Sequence, residues 1–342
     1  MRGRGGKYMV SLGILDHSHI GEGRTARDAL AETTALAQAA ERLGYTRFWV
    51  SEHHSARAIA HSSPEVLLAH IGAHTSRIRI GSGGVMLPHY SAYKVTENFR
   101  LLEALYPGRI DLGLGRAPGG PMRAAWALQN GQPDFDRYPH QVSDLLGYLH
   151  GTLPADHLFA RLTVCPEVPT APDVWLLGSS DDSALLAAQM GLAFGFAQFF
   201  GIADSEAVVR MYREQFRPSP FNERPRALVA VMAICAETED EADRLARSSD
   251  LHFLGLELGR DLGYLPSVET AENYPYTEFD RERIAFARRR RFIGTPGRLK
   301  EALLELCGRC GADELMIVTP VHDPAARLRS FELLAEAFGL GG

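Results

Sequence analysis

Histidine gathers at a few points of this 342-residue chain, each just after a short apolar run. The stretches are Asp16-His17-Ser18-His19, Glu52-His53-His54, Gly81-Ser82-Gly83-Gly84-Val85-Met86-Leu87-Pro88-His89 and Thr319-Pro320-Val321-His322-Asp323. Imidazole titrates near neutral pH, so it can give and take protons where other side chains cannot. One such histidine is usually a structural hydrogen-bonding group. Several converging on one mouth make a functional pocket. Other stretches point to a bound phosphate. Gly178-Ser179-Ser180 opens a helical run that includes Ser183, and a helix N-terminus offers free N–H groups and a partial positive charge. Plain N-capping by serine is the simpler use of the same residues. Arg116, closing Gly113-Leu114-Gly115-Arg116, can chelate the same phosphate with its planar fork. The Gly83-Gly84 pair lets the backbone approach a ligand closely, which would suit a flat ring, although a β-bulge would also use it. A phosphorylated cofactor would then lie across the mouth.

Those residues need a frame that brings distant parts of the chain together. Short apolar, β-branched runs alternate with amphipathic helical runs. Strands are expected at Val10–Leu15, Phe48–Ser51, Ile78–Gly83, Ile110–Leu114, Val174–Leu177, Phe194–Gln198, Ala227–Ile234 and Glu314–Val318. Helices are expected at Ala26–Leu43, Pro64–Thr75, Ala92–Leu105, Tyr138–His150, Ser183–Met190, Ser205–Phe216, Glu239–Leu251, Pro296–Leu306 and Pro324–Phe338. Strand alternating with helix implies parallel strands joined by crossovers. Eight repeats fit a closed (β/α)8 TIM barrel, an α/β single domain, better than an open doubly wound sheet. The open sheet would want a glycine fingerprint after the first strand, and Gly21-Glu22-Gly23 is too sparse and too distant. In a barrel the carboxyl ends of the strands carry the chemistry, and the stretches above are those ends. Insertion loops are expected after strands four and seven, at 117–137 and 252–292, the second a lid or partly disordered insertion. Residues 1–8 read as a flexible tail ahead of a barrel over 9–342.

Composition narrows the function. The net charge of −6 argues against a nucleic-acid partner, which would need a basic footprint. No run approaches the roughly 18 apolar residues of a transmembrane helix, and the basic N-terminus lacks the apolar stretch of a signal peptide. A cytoplasmic protein without membrane attachment is expected. The run Arg288-Arg289-Arg290-Arg291 sits among acidic residues and reads as a solvated helix face. Cys307 and Cys310 have no second pair to complete a zinc site, so no metal is expected.

In combination these stretches resemble one family. Phe48-Trp49-Val50-Ser51-Glu52-His53-His54, the Gly81–Pro88 run, Glu97-Asn98-Phe99-Arg100-Leu101-Leu102-Glu103, Pro107–Ala117, Leu177-Gly178-Ser179-Ser180 and Phe292-Ile293-Gly294-Thr295-Pro296 are similar to the bacterial luciferase-like flavin monooxygenases, in family order. The resemblance implies a (β/α)8 barrel binding reduced FMN, or in one branch the deazaflavin F420. It implies His53 as the catalytic histidine and Arg116 at the flavin phosphate. Gly178, Ser179, Ser180 and Ser183 would form the phosphate turn, although luciferase itself carries an acidic residue where Ser179 stands. Gly83, Gly84 and Val85 would back the flavin ring, often through a non-prolyl cis peptide. Such an enzyme oxygenates a small organic substrate with O2 and takes reduced flavin from a separate reductase, which suits the missing NAD(P)H fingerprint. A homodimer is implied as well. Three other readings stay open. They are an F420-dependent dehydrogenase or reductase, a metal-dependent hydrolase built on His17-Ser18-His19, and a non-catalytic flavin-binding protein.

Overall fold

The structure is a computed structural model that describes residues 10–201 and 204–341. The expected tail at 1–8 lies outside the described residues. Nine strands share one sheet: β1 Ser11–Asp16, β2 Arg47–Val50, β3 Arg79–Met86, β4 Ile110–Gly115, β5 Asp173–Gly178, β6 Ala193–Ala197, β7 Ala227–Cys235, β8 Arg291–Gly294 and β9 Glu314–Val318. The helices are α1 Ala26–Leu43, α2 Pro64–His74, α3 Ala92–Leu105, α4 Met122–Leu128, α5 Tyr138–His150, α6 Asp181–Met190, α7 Ser205–Gln215, α8 Glu239–Glu257, α9 Val268–Glu272, α10 Glu278–Arg288, α11 Pro296–Cys310 and α12 Pro324–Phe338.

The strands run β6-β5-β4-β3-β2-β1-β9-β7, all parallel, and pairing of β6 with β7 closes the ring. This is the expected closed eight-stranded (β/α)8 barrel. β8 is additional. It pairs with Met232–Cys235 on the side of β7 that β6 has left, above the barrel proper. Its four residues are too short, and too close to charged neighbours, to stand out as a strand by periodicity.

Local chemistry sets the repeat. Thr25 caps α1 and accepts from the Asp28 N–H while Asp28 reaches back to the Thr25 N–H, a reciprocal box. Gly44 ends the helix at φ 84°, where a side chain would be strained, and turns the chain into β2. Within each strand, alternate residues face opposite ways. Leu12, Ile14, Phe48, Val50, Leu315 and Ile317 pack outward against the helices. Leu15, Trp49, Trp175, Leu228 and Met316 fill the interior. The two indoles meet edge-on at 5.7 Å.

A buried charge cluster closes the amino end of the ring. Arg47 pairs with Asp111 at 2.5 Å and Glu314 at 2.7 Å, and Asp111 also takes Arg79 at 2.6 Å and the Trp49 indole N–H at 2.8 Å. Buried charges are tolerated when paired and hydrogen-bonded in this way. The cluster fills the barrel interior at that end.

The connections differ from the sequence expectation in content. Residues 117–137 carry α4. Residues 252–292, for which a lid or partial disorder is expected, continue α8 to Glu257 and then build α9, α10 and β8. The arginine run is not a solvated helix face. α10 ends at Arg288 and β8 starts at Arg291, so successive arginines point different ways. Arg288 and Arg291 both pair with the buried Asp250, at 2.6 and 2.8 Å. Cys307 and Cys310 are buried free thiols on α11. No helix among the described residues is long and apolar enough to cross a membrane.

Candidate active site

A cavity of about 280 Å³ opens at the carboxyl ends of the strands. Its floor and walls are apolar: Leu15, Trp49, Leu177, Leu228 and Met316. His17, Glu52 and His53 stand on one side, and Arg116, Ser179 and Ser180 on the other.

The wall at Gly83 and Gly84 is made by a bulge. Ser82 pairs with Leu112 but Val85 pairs with Leu114, so β3 holds one extra residue against β4. The Ser82 hydroxyl fills the broken ladder, donating to the Gly113 carbonyl at 3.0 Å and accepting its N–H at 3.1 Å. The Gly83–Gly84 peptide is cis. A Cβ at Gly84 would stand 2.6 Å from the Gly113 oxygen, and one at Gly83 would stand 2.8 Å from Leu15 Cδ1. Side-chain-free backbone is thus required twice in succession. The bulge also resets the alternation, so Val85 faces outward. It is buried in the outer core and does not line the cavity, contrary to its expected place behind a ring.

Glu52-His53-His54 divides into a brace and a cavity group. Buried Glu52 accepts from Tyr90 Oη at 2.9 Å and from the Met86 N–H at 3.1 Å, and stands 2.8 Å from His54 Nε2. These contacts tie the end of β2 to the end of β3. His53 lines the cavity, and its Nδ1 lies 3.1 Å from the Ser51 hydroxyl. Ser51 is buried and also lies 2.8 Å from Nδ1 of His17, which lines the same cavity. The two imidazoles meet edge-on at 5.3 Å. Burial, with His61 and His54 nearby, holds His53 down to about 4. Burial and His53 hold His17 down to about 3. Both rings are therefore neutral at pH 7, able to accept a proton at one nitrogen and donate at the other.

The polar end is the turn into α6. Ser180 is the N-cap, and the Ser183 hydroxyl donates to the Ser180 carbonyl at 2.7 Å. With its hydrogen directed into the turn and its oxygen facing the Ser180 N–H, Ser183 shapes the turn that presents Ser179 and Ser180. Gly178 carries no Cβ because one would strike the Ser183 side chain. Ser179 and Ser180 remain the cavity-facing hydroxyls, and Arg116 is exposed at the rim beside them. Asp182, in the first turn of the helix, lines a neighbouring cleft with Arg116 and Tyr138.

The cavity thus brings together His53, Gly83, Gly84, Arg116, Gly178, Ser179, Ser180 and Ser183, eight of the nine residues expected from sequence. Sequence reading had His17 only among the strand-end histidines and in the hydrolase alternative, and it did not single out Ser51 or the inward row Leu15, Leu177, Leu228 and Met316. His17 was visible as a strand-end histidine, and the inward row as alternate strand positions. Nothing local marks Ser51. Among the described residues, no group of three or more His, Cys, Asp or Glu is placed to hold a metal ion.

A closed parallel barrel with an apolar slot, flanked by neutral imidazoles and a serine–arginine end, defines a class: a (β/α)8-barrel protein with a small-molecule cavity at the carboxyl ends of its strands. Sequence comparison makes this specific. The chain belongs to the luciferase-like monooxygenase family, whose model matches residues 10–330, and it is an oxygen-incorporating, flavin-dependent enzyme. It is 53% identical to the uncharacterized protein YwcH of Bacillus subtilis (strain 168), over 96% of this chain and 99% of that one. It is 39% identical to the N-acetyl-S-alkylcysteine monooxygenase of the same organism, over 96% and 98%. The crystal structure of apo-MsnO8 superposes with a TM-score of 0.88 at 38% identity, covering 97% of this chain and 98% of that one. More distant solved structures share the fold alone. They include an FMN-bound oxygenating constituent of 3,6-diketocamphane monooxygenase at 20% identity and an F420-dependent secondary alcohol dehydrogenase at 12%, both with a TM-score of 0.69.

Proposed function

We propose that this chain is an FMN-dependent monooxygenase that oxygenates a small organic substrate with reduced flavin and O2, the reduced flavin coming from a separate reductase. The observation that carries the reading is the two-ended cavity, apolar along its length and polar at the α6 turn. Its residues fit a flavin mononucleotide. Leu15, Leu177 and the bare Gly83-Gly84 backbone would hold the ring, and Ser179, Ser180, the α6 N-terminus and Arg116 would hold the phosphate. When bound, reduced flavin supplies the two electrons that activate O2. The chain's own work is to bind, to orient, to exclude water and to move a proton at His53 Nε2. A cytoplasmic homodimer completes the reading.

The second reading is an F420-dependent dehydrogenase or reductase, since the same fold serves F420 in the alcohol dehydrogenase above. One experiment separates them. The purified chain is titrated with FMN, reduced FMN and F420 and followed by absorbance, then assayed for oxygen uptake with aldehydes, ketones and thioethers. Thioethers enter the panel because of the relative named for N-acetyl-S-alkylcysteine. Micromolar binding of reduced FMN with substrate-dependent O2 uptake is expected. Tight F420 binding without O2 uptake establishes the alternative. Sedimentation velocity tests the dimer.

A further inference from the structure

Ser51 occupies an unusual position. Its one hydroxyl lies within hydrogen-bond distance of two imidazole nitrogens, His17 Nδ1 at 2.8 Å and His53 Nδ1 at 3.1 Å. Both rings line the cavity, and neither Nε2 has a hydrogen-bond partner among the described residues. The buried carboxylates next to the pair, Asp16 and Glu52, are occupied elsewhere, Glu52 in the brace described above. Asp16 has three donors of its own. It takes Arg327 at 2.7 Å, the Ser18 N–H at 2.9 Å and the Thr33 hydroxyl at 2.7 Å. Ser51 is therefore the group that orients both rings.

A hydroxyl has one hydrogen to donate. It can donate to one Nδ1 and accept an N–H from the other; two bare Nδ1 atoms would compete for its one hydrogen, and two Nδ1–H groups would leave that hydrogen without either ring as acceptor. The neutral arrangement that uses both the hydrogen and a lone pair of Ser51 has one ring protonated on Nδ1 and the other on Nε2. The cavity then faces one bare Nε2 and one Nε2–H.

We propose that Ser51 couples His17 and His53 into a two-histidine proton relay, with Ser51 and His17 as positioning residues for His53. In one direction, His53 Nε2 takes a proton from the cavity. The His53 Nδ1 proton passes to Ser51 Oγ, the Ser51 proton passes to His17 Nδ1, and His17 Nε2 releases its own. One proton enters and one leaves, and both rings end neutral with their tautomers exchanged. The reverse shift delivers a proton at His53. The relay lets the site act as base and as acid without a lasting charge in an apolar slot.

The surroundings suit a neutral relay. His54 stands beside His53, and His61, whose two ring nitrogens are buried without a partner, acts on both members. His19 packs edge-on to His17 at 5.4 Å and to His252 at 5.3 Å. Arg327 and Asp16 act on His17 with opposite signs. Burial lowers His19, His61 and His252 as it does the pair. His19, His61 and His252 therefore do not compete for a proton near neutrality.

The direct test is nitrogen-15 NMR of histidine-labelled apoprotein at pH 7.5, with His17→Gln and His53→Gln used for assignment. Opposite neutral tautomers for His17 and His53 are expected. Identical tautomers, or a charged ring, would overturn the relay without any further variant. Ser51→Ala should release both rings to the same tautomer, and Ser51→Thr should restore the opposed pair. An unchanged spectrum in Ser51→Ala would overturn the coupling. The link to turnover rests on the flavin monooxygenase reading. There Ser51→Ala and His17→Gln should lower kcat on the order of 10-fold or more with KM and FMN affinity nearly unchanged, and full kcat in either variant counts against the relay. A wild type that shows opposed tautomers but oxidises nothing would instead sink the functional reading and leave the relay standing.

Discussion

Glu52 Oε1 stands 2.8 Å from Nε2 of His54, which separates two neighbouring residues into different trades. His54 is drawn to the brace between β2 and β3, while His53 is left to the cavity. Glu52 also receives the Tyr90 hydroxyl and the Met86 N–H, and it is only 2% exposed. A buried acceptor with this many donors is costly to replace, because each donor left without a partner loses its hydrogen bond. Glu52→Gln places an NH2 group where a donor now points. It should lower unfolding stability by about 1–3 kcal/mol in urea denaturation. An unchanged midpoint would remove Glu52 from the brace.

His53→Ala should leave FMN binding within a few-fold of wild type and reduce kcat/KM by roughly 10² or more. Stopped-flow oxidation with a fixed substrate separates the two effects. Oxidation at the wild-type rate would reassign the proton-transfer group.

Arg116 stands exposed at the rim beside Ser179 and Ser180. Hydrogen bonds to a charged group contribute about 1.5–3 kcal/mol, or about 10- to 100-fold in affinity. Arg116→Ala should weaken FMN by that factor and leave riboflavin, which lacks the phosphate, almost unaffected. Equal losses for both ligands would place Arg116 elsewhere on the cofactor.

Gly84→Ala places a methyl group 2.6 Å from the Gly113 carbonyl and 2.7 Å from Leu177 Cδ1. The bulge must then shift. Overpacking of this kind costs typically about 1–3 kcal/mol, and the same movement should distort the cavity wall. Lower thermal stability together with weakened FMN binding is expected. Loss of one without the other would separate the bulge from the ligand.

The buried histidines predict a pH dependence. Their folded-state values lie below the unfolded value near 6.5, at about 3 for His17 and about 4 for His53. Between those limits the unfolded chain binds more protons, so stability falls as pH falls. The loss begins near pH 6.5 and approaches about 1.4 kcal/mol per pH unit for each fully buried histidine. His19, His61 and His252 shift in the same direction and add to it. Urea midpoints measured from pH 7.5 to 4.5 should decline, and the His17→Gln, His53→Gln double variant should show a shallower slope. A double variant as steep as wild type would contradict the burial of these two rings.

The sequence by itself determined the barrel. The alternation of short apolar runs with amphipathic helical runs is a local signal, and local signals survive in a one-dimensional reading. It also determined that His53, Arg116 and the serine turn lie at strand ends, hence at one mouth. The tertiary structure decided what depends on register and long-range approach. One extra residue in β3 reversed the alternation and sent Val85 into the outer core. Ser183 turned its hydroxyl toward the Ser180 carbonyl of its own turn. Ser51 met His17 across 34 residues of chain because β1 and β2 lie side by side in a fixed stagger. A side chain's face follows from the chain's period, but which side chains touch across a ring follows from bulges and stagger. Those are properties of the closed sheet as a whole.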